Sequence, residues 1–350
     1  MRNIKKISGI LFSVVVFVCL LVWLTGCTKQ STKQRLITDF QEIISPDTKP
    51  EIVIDGTREE TLLVATEGPT WMNGKLYFSN YTYPDSSKNE GIWVVNPDKS
   101  YKILNKVVKT IGTTPLPNGN LAACFFQMPT KTQPLKTGVV EITPGGELVR
   151  SLADSYNDIP LGAPNDLITD KKGGLYFTDP WGGKLGNKQP GTAVYYLNPQ
   201  GKLIRVTEWN DLGFPNGCEI SQDGSKFYLD DAMSTTVQVY DVNDDGTLSN
   251  KRVFAELRVN ESLVEKEKPW IGGDGMTIDR EGNLYVATFL DPGIQVFNKN
   301  GEFLGNIKFP TTPSNCIFGG KNMSTLYVTC HKQQVYSIQT KMKGFQFPMR

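Results

Sequence analysis

The chain has 350 residues, with 37 Lys and Arg against 36 Asp and Glu, so bulk charge does not favour nucleic-acid binding. Hydrophobic residues make up 39% of the sequence, which is enough to form a buried core. The single histidine, His331, excludes His-rich zinc sites, and the lack of a C-x-x-C pair argues against a zinc ribbon.

The N-terminus has the pattern of a bacterial lipoprotein signal. Three basic residues precede an apolar run from Ile7 to Leu24, and small residues stand directly before Cys27. We expect a signal peptide over residues 1–26, lipidation of Cys27 and an exported protein anchored to a membrane of the bacterial cell envelope. The mostly polar residues 27–50 are then a tether. The alternative is an uncleaved transmembrane anchor, because the apolar run is near the lower length limit for a span.

After residue 50 the chain repeats one phrase six times, a turn with Gly, Asn or Asp followed by a short apolar and aromatic strand. The spacings between copies are 45, 54, 51, 58 and 41 residues, which is typical of four-stranded propeller blades. The copies begin at Asn73, Asn118, Lys172, Asp223, Glu281 and Asn322.

The repeats predict an all-β fold, a six-bladed β-propeller over residues 51–350 with a central divalent-metal site. Because the ring must close, we predict that the strand at 51–55 pairs with the C-terminal strand that starts at Gln334. The cysteines after Cys27 lie in or beside apolar strands, which favours buried thiols, although an exported protein could form disulfides. They are at positions 124, 218, 316 and 330.

Four polar residues share one position relative to their repeats. Glu67, Asn165, Asn216 and Asp274 stand nine to eleven residues before the first apolar residue of the following strand. Equivalent positions on different blades face the same channel, so four blades deliver two carboxylates and two amide oxygens to one point. These donors suit Ca²⁺ best, with Mg²⁺, Mn²⁺ or Zn²⁺ possible, and no organic cofactor is indicated. The alternative is that Asn-Gly and Asp-Gly are ordinary turn dipeptides.

Three further polar residues follow from the same repeat. Asp179 and Asp231 come four residues after the first apolar residue of their strands, Leu175 and Phe227. At these strand ends they either support the metal ligands and substrate or close turns. Asn315 shares the upstream offset and is expected to line the channel. Cys330 and His331 are strand neighbours whose side chains point to opposite faces, so they do not form a nucleophile–base pair.

The phrases Glu67-Gly-Pro-Thr-Trp71, Pro164-Asn-Asp, Pro215-Asn-Gly and Asp274-Gly-Met-Thr-Ile-Asp resemble those of the gluconolactonase/senescence-marker-protein family, also called regucalcin-like. The resemblance covers residues 60–335 and implies a six-bladed propeller, a calcium-type ion and hydrolysis of lactones.

Residue by residue, the resemblance implies that Glu67, Asn216 and Asp274 are metal ligands and that Asp274 handles the water. Asn165 would be an outer ligand or a substrate contact. Some members carry an arginine just before the second motif that grips a sugar acid. Here residues 161–165 read Leu-Gly-Ala-Pro-Asn, without a cation.

Two functions fit the sequence. One is a membrane-anchored, metal-dependent hydrolase of small-molecule lactones or related esters, in which the ion polarises the carbonyl, water is activated and Asp274 is catalytic. This protein would be a monomer with no nucleic-acid partner. The other is a non-catalytic propeller that binds a ligand or partner, with an ion that stabilises the blades. Fold alone does not separate them, but buried carboxylates favour the enzyme because they are costly unless they hold something.

Overall fold

Six four-stranded antiparallel sheets surround a central channel in the computed structural model, which describes residues 34–58, 60–81, 89–104, 109–127, 136–184 and 188–347. The predicted signal sequence and Cys27 lie outside these residues. A short unit, Met1–Arg35, precedes the unit Leu36–Arg350 that contains all the sheets. Within the described ranges, no helix has both the length and the apolar composition needed to cross a membrane.

The elements follow in chain order. Helix α1 (Phe40–Ile43) and strand β1 (Glu51–Asp55) come first. Blade 1 comprises β2 (Ala65–Met72), β3 (Lys75–Tyr81), β4 (Gly91–Val95) and β5 (Tyr101–Ile103). Blade 2 comprises β6 (Lys109–Pro115), β7 (Leu121–Gln127), β8 (Lys136–Ile142) and β9 (Leu148–Ala153). A small hairpin follows, β10 (Ser155–Tyr156) and β11 (Ile159–Pro160).

The second half of the chain continues the same pattern. Blade 3 comprises β12 (Leu167–Thr169), β13 (Leu175–Asp179), β14 (Ala193–Leu197) and β15 (Leu203–Arg205). Blade 4 comprises β16 (Pro215–Ile220), β17 (Lys226–Asp231), β18 (Thr236–Val242) and β19 (Leu248–Glu256). Helix α2 (Glu261–Glu267) leads into blade 5, with β20 (Gly273–Ile278), β21 (Leu284–Thr288), β22 (Gly293–Phe297) and β23 (Phe303–Ile307). Blade 6 contains β24 (Pro313–Gly319), β25 (Thr325–Cys330) and β26 (Gln334–Gln339).

The ring closes between the two ends of the sheet-forming chain. Strand β1 is the outer strand of blade 6 and pairs antiparallel with β26, with Glu51 opposite Ser337 and Asp55 opposite Gln334. The predicted six-bladed fold and its closure are therefore confirmed. Closure leaves β26 paired on both sides, so this strand offers no free edge to another chain.

Each repeated phrase forms the turn between the first two strands of a blade and then the second strand. In blade 3, the Asp170 carboxylate accepts hydrogen bonds from the backbone N–H groups of Lys172 and Gly174, at 2.8 and 2.7 Å. In blade 5, Asp279 accepts from the N–H groups of Glu281 and Asn283, at 2.9 and 3.0 Å. These two side chains hold the turns from two residues before the phrase, which begins at Lys172 in blade 3 and at Glu281 in blade 5.

The first strand of every blade lies innermost, and successive first strands contact one another around the whole ring. Their register is irregular near the start, between Glu67 and Thr70, between Pro215 and Cys218 and between Gly273 and Met276. Such bulges bend a strand and re-aim its side chains. They lie where the chain carries the polar residues predicted to face the channel.

Hydrophobic side chains fill the spaces between neighbouring blades. Trp93, Phe177, Phe227 and Phe318 are fully buried there, each in a separate interface cluster. The cysteines at 124, 218, 316 and 330 are buried and free, which confirms the expectation of unpaired thiols.

The segment before β1 also contributes to this core. Its polar composition predicts a tether, but residues 36–44 pack on blades 5 and 6, where Ile37 and Ile43 have no exposed surface. The Asp39 side chain accepts a hydrogen bond from Gln41 N at 2.8 Å and so begins α1. Ile44 and Phe40 pack in the same cluster, so this part of the segment belongs to the folded core and is not a free tether.

Candidate functional site

The four polar residues predicted to meet in the channel do meet there, at one end of a cavity of about 380 Å³. Glu67 lies on β2, Asn216 on β16 and Asp274 on β20, whereas Asn165 comes two residues before β12. We call these four residues the polar cluster. The remaining lining residues are Tyr81, Ile111, Phe126, Ala163, Trp181, Phe214, Trp270, Phe289 and His331.

Hydrogen bonds connect the polar cluster across three blades. The Asn165 Nδ2 donates to Asn216 Oδ1 at 2.8 Å, and Asn216 Nδ2 donates to Asp274 Oδ1 at 2.6 Å. Asn216 and Asp274 are each 5% exposed, so the bond between them is shielded from water, whereas the bond from Asn165 is partly buried. The two amides therefore orient one oxygen of the Asp274 carboxylate.

His331 is a site residue that the sequence analysis missed. Its Nε2 lies 2.9 Å from Asp274 Oδ2, but neither atom has a hydrogen bond of good geometry. The imidazole stacks on Phe289, with ring centroids 5.1 Å apart. The sequence does contain a pattern that could have indicated this position. His331 and Phe289 each come directly after the second strand of a blade, so both are expected at the same end of the propeller. Cys330, by contrast, is buried in the core between blades.

Glu67 is held from two sides. Its Oε2 accepts hydrogen bonds from Gly68 N at 3.1 Å and from Asn315 Nδ2 at 3.2 Å. Burial raises the pKa of Glu67 well above its ordinary value, and the nearby carboxylates of Asp274 and Asp166 raise it further. A positive charge in the polar cluster would relieve both effects.

Two more buried carboxylates lie close to the polar cluster and were not predicted. The Asp230 Oδ1 accepts a hydrogen bond from Gly217 N at 2.9 Å, while its Oδ2 is buried without a partner. The Asp166 Oδ2 accepts from Cys218 N at 3.1 Å, and burial raises the pKa of Asp166 to about 7. Asp230 precedes Asp231 on β17, and Asp166 follows Asn165 just before β12. Because neighbours on a strand point to opposite faces, Asp230 and Asp231 lie in different surroundings.

Asp179 and Asp231 do not line the cavity, and both hold loops that do. The Asp179 carboxylate accepts from Gly162 N and Ala163 N at 2.7 and 2.8 Å. Asp231 accepts from Gly213 N and Phe214 N at 2.7 and 2.9 Å. These loops run directly into Asn165 and Asn216, so the carboxylates fix the approach of the chain to the polar cluster. Of the two roles considered for these carboxylates, hydrogen bonds that span 16 to 18 residues fit support of the residues at the cavity better than closure of a single turn.

Glycines let the inner strands approach each other at the polar cluster. A Cβ on Gly217 would lie 2.0 Å from the carbonyl oxygen of Asp274, and one on Gly275 would lie 1.8 Å from the Asn315 side chain. Both glycines directly follow a polar-cluster residue. A larger residue at 217 would press on the backbone of blade 5, and one at 275 would displace the Asn315 side chain.

The polar cluster suits a divalent cation by its chemistry. Glu67, Asn165, Asn216 and Asp274 offer two carboxylates and two amide oxygens, which are hard ligands. The buried Oδ2 of Asp274 has no hydrogen-bond partner, so an oxygen is available. In the described part of the chain, no three His, Cys, Asp or Glu side chains gather closely enough to hold a metal alone. A cation here would therefore need the asparagine oxygens as well.

Comparison with known proteins agrees with this architecture. The profile of the SMP-30/Gluconolactonase/LRE-like region matches residues 65–332. A gluconolactonase from Zymomonas mobilis is 32% identical over 205 residues, which are 55% of this chain and 54% of that protein. The chain thus spans about half the length of the curated relatives it matches.

Solved structures are similar over most of their length. A gluconolactonase from Xanthomonas campestris has a TM-score of 0.69 and 22% identity, covering 87% of this chain and 94% of that one. A calcium-binding regucalcin from Agrobacterium tumefaciens has a TM-score of 0.66 and 16% identity, covering 86% and 97%. At these identities the structures show a shared fold. Because the family profile covers most of the sequence, the chain belongs to the SMP-30/gluconolactonase/LRE-like family.

Proposed function

We propose that the protein is a divalent-metal-dependent hydrolase that opens lactones or related carboxylic esters. The observation that carries this proposal is the polar cluster, where Asp274, oriented by Asn216, meets Glu67 at the end of a cavity large enough for a small molecule. Membership of the family and the resemblance to gluconolactonases support the reaction class.

The polar cluster would hold the ion through Glu67, Asn216 and Asp274, with Asn165 as an outer ligand or substrate contact. Ca²⁺ suits these oxygen donors best. When bound, a divalent cation supplies positive charge that polarises the carbonyl and stabilises the oxyanion.

The chain itself orients the Asp274 carboxylate, which is the proton acceptor. Asn165 and Asn216 keep the Asp274 carboxylate turned toward the cavity, where it takes the proton of an attacking water. The water oxygen bonds to the carbonyl carbon, the ring C–O bond breaks, and the proton passes to the ring oxygen. The product is a hydroxy acid. The His331 Nε2 lies 2.9 Å from the Oδ2 of Asp274 and would limit rotation of the carboxylate.

The test is hydrolysis of a lactone panel by the purified protein with Ca²⁺, Mg²⁺, Mn²⁺ or Zn²⁺ and after EDTA. We expect turnover that disappears on chelation and returns with one of the ions. If an ion binds with no turnover of any lactone or ester, the alternative applies, a non-catalytic propeller that binds a ligand or partner.

We further propose that the enzyme acts outside the cytoplasmic membrane, tethered through lipid on Cys27. The sequence pattern before Cys27 supports this location. In bacteria given a labelled fatty acid, the wild-type protein should carry label and Cys27→Ala should not. Equal labelling of both would contradict the proposal.

A further inference from the structure

The cavity above the polar cluster has an apolar, mostly aromatic lining. Its aromatic members are Tyr81, Phe126, Trp181, Phe214, Trp270 and Phe289, which we call the aromatic wall. Phe126 and Phe214 are almost fully buried, whereas Trp270 retains 37% of its surface and lies nearer to solvent. The polar cluster and the aromatic wall therefore divide the cavity into two chemically different parts.

The wall is continuous from blade 1 to blade 5. Tyr81, Phe126 and Trp181 belong to one hydrophobic cluster from blades 1 to 3. Trp181 then contacts Phe214 edge-on with centroids 5.2 Å apart, and Phe214 contacts Trp270 in the same way at 4.8 Å. Trp270 lies 6.5 Å from Phe289. These contacts fix the ring orientations, so the apolar surface is built before a ligand arrives.

The shared location of these residues has a simple topological cause. The start of each first strand pairs with the end of the second, as in Ala65 opposite Tyr81 and Gly273 opposite Thr288. Residues just before a first strand and at or after the end of a second strand therefore lie at the same end of the propeller. Phe214 and Trp270 come just before a first strand, whereas Tyr81 and Phe289 come at or after the end of a second strand.

Polar groups that could recognise a sugar are scarce on this wall. It carries two indole N–H groups and one phenol, and of the described lining residues His331 alone can carry a positive charge. Lys184 does not line the cavity, and its ammonium lies 5.0 Å from the centroid of Phe214. A polyhydroxylated substrate would leave several hydroxyl groups unpaired against rings, each weakening binding by about tenfold or more.

We propose that this site takes uncharged lactones that carry an apolar alkyl or aryl substituent, with the substituent against the aromatic wall and the carbonyl at the polar cluster. The proposal rests on the lactone hydrolysis proposed above and specifies its substrate class. Each methylene transferred from water to the wall should raise kcat/KM by up to about fourfold until the cavity is filled.

The test compares δ-lactones of increasing chain length on the full-length protein in the presence of Ca²⁺. The series is δ-valerolactone, δ-octalactone and δ-decalactone, with glucono-δ-lactone as the polar member and uncatalysed hydrolysis subtracted. We expect kcat/KM for δ-decalactone to exceed that for δ-valerolactone by about tenfold or more, and glucono-δ-lactone to fall below both.

Two variants assign the preference to the wall. Trp270→Ala removes a partly exposed ring, and we expect the ratio of kcat/KM between decalactone and valerolactone to fall by about threefold or more. Tyr101→Ala is the matched control, because Tyr101 is 39% exposed on the outer strand of blade 1 and does not line the cavity. The control should keep the wild-type ratio.

The outcomes separate the two proposals. Two results would overturn the substrate class and leave lactone hydrolysis standing: a kcat/KM that does not change with chain length, or a higher kcat/KM for glucono-δ-lactone than for the alkyl lactones. If no lactone is turned over, binding of the corresponding δ-lactams is measured by tryptophan fluorescence. Tighter binding of longer lactams would then support the apolar specificity while refuting hydrolysis, and equal binding would refute both.

Discussion

The approach of blade 4 to blade 5 at Gly217 allows a direct test of how Asp274 is positioned. In Gly217→Ala the new Cβ would lie 2.0 Å from the carbonyl oxygen of Asp274 and 3.0 Å from the Cα of Gly275. Non-bonded carbon and oxygen atoms need about 3.5 Å, so the inner strands must separate by roughly 1 Å or more. The obstructing atoms are backbone, so a rotamer change cannot relieve the overlap. We expect a loss near the upper end of the usual overpacking range, about 3 kcal/mol of unfolding free energy.

Activity should fall together with stability in this variant. A displacement of about 1 Å at a catalytic carboxylate lowers the rate by about 10²-fold. The assay is thermal unfolding followed by circular dichroism, with an expected Tm decrease of roughly 6 °C, and kcat/KM for the best lactone. Ion affinity, measured by calorimetry, should weaken in parallel.

Gly145→Ala provides the matched control. The nearest atom to its new Cβ is Thr143 Oγ1 at 3.5 Å, and the residue lies in an exposed turn. This change should leave kcat/KM unaltered and stabilise the fold slightly, by up to about 1 kcal/mol. If Gly217→Ala has the same Tm and kcat/KM as the control, close packing between the inner strands does not position Asp274.

The remaining predictions concern individual side chains. Asp274→Ala should lower lactone turnover by about 10³-fold while the fold is kept, and near-normal activity would exclude its catalytic role. Ca²⁺ at 100 times its Kd should raise the unfolding free energy by about 2.7 kcal/mol, and Glu67→Gln should lose most of this gain in the same melting experiment. Asp179→Ala removes two hydrogen bonds from buried N–H groups and should cost about 3 kcal/mol in chemical denaturation. The exposed turn residue Asp98 serves as control, and an equal loss in Asp98→Ala would contradict the argument.

Much of the fold was predictable because the blade repeats its chemistry. The turn residues, the alternating strand and the offset of the channel-facing position recur in each blade, so one correct alignment of the repeat located Glu67, Asn165, Asn216 and Asp274 together. The closure of β1 on β26 followed from the need to satisfy the last edge. These features depend on local sequence and on ring symmetry.

The features that were missed depend on contacts that the repeat does not contain. His331 is directed into the cavity by the end of β25, and nothing near it in sequence indicates that Asp274 is beside it. Asp230 and Asp231 differ only in which face of the chain they occupy at the end of β17. Helix α1 has four residues, too few for a helical period to reveal that its segment packs on the core.

The ring closure also determines when the site can exist during biosynthesis. Glu67 receives a hydrogen bond from Asn315, which is 248 residues further along the chain, and Thr66 is joined to Cys330 across 264 residues. Contacts of such separation form slowly, because a long loop must be ordered first. A nascent chain therefore carries Glu67 and Asn216 without the assembled polar cluster. In the proposed function, ion capture and catalysis would begin only after the sixth blade has been made and joined to the first.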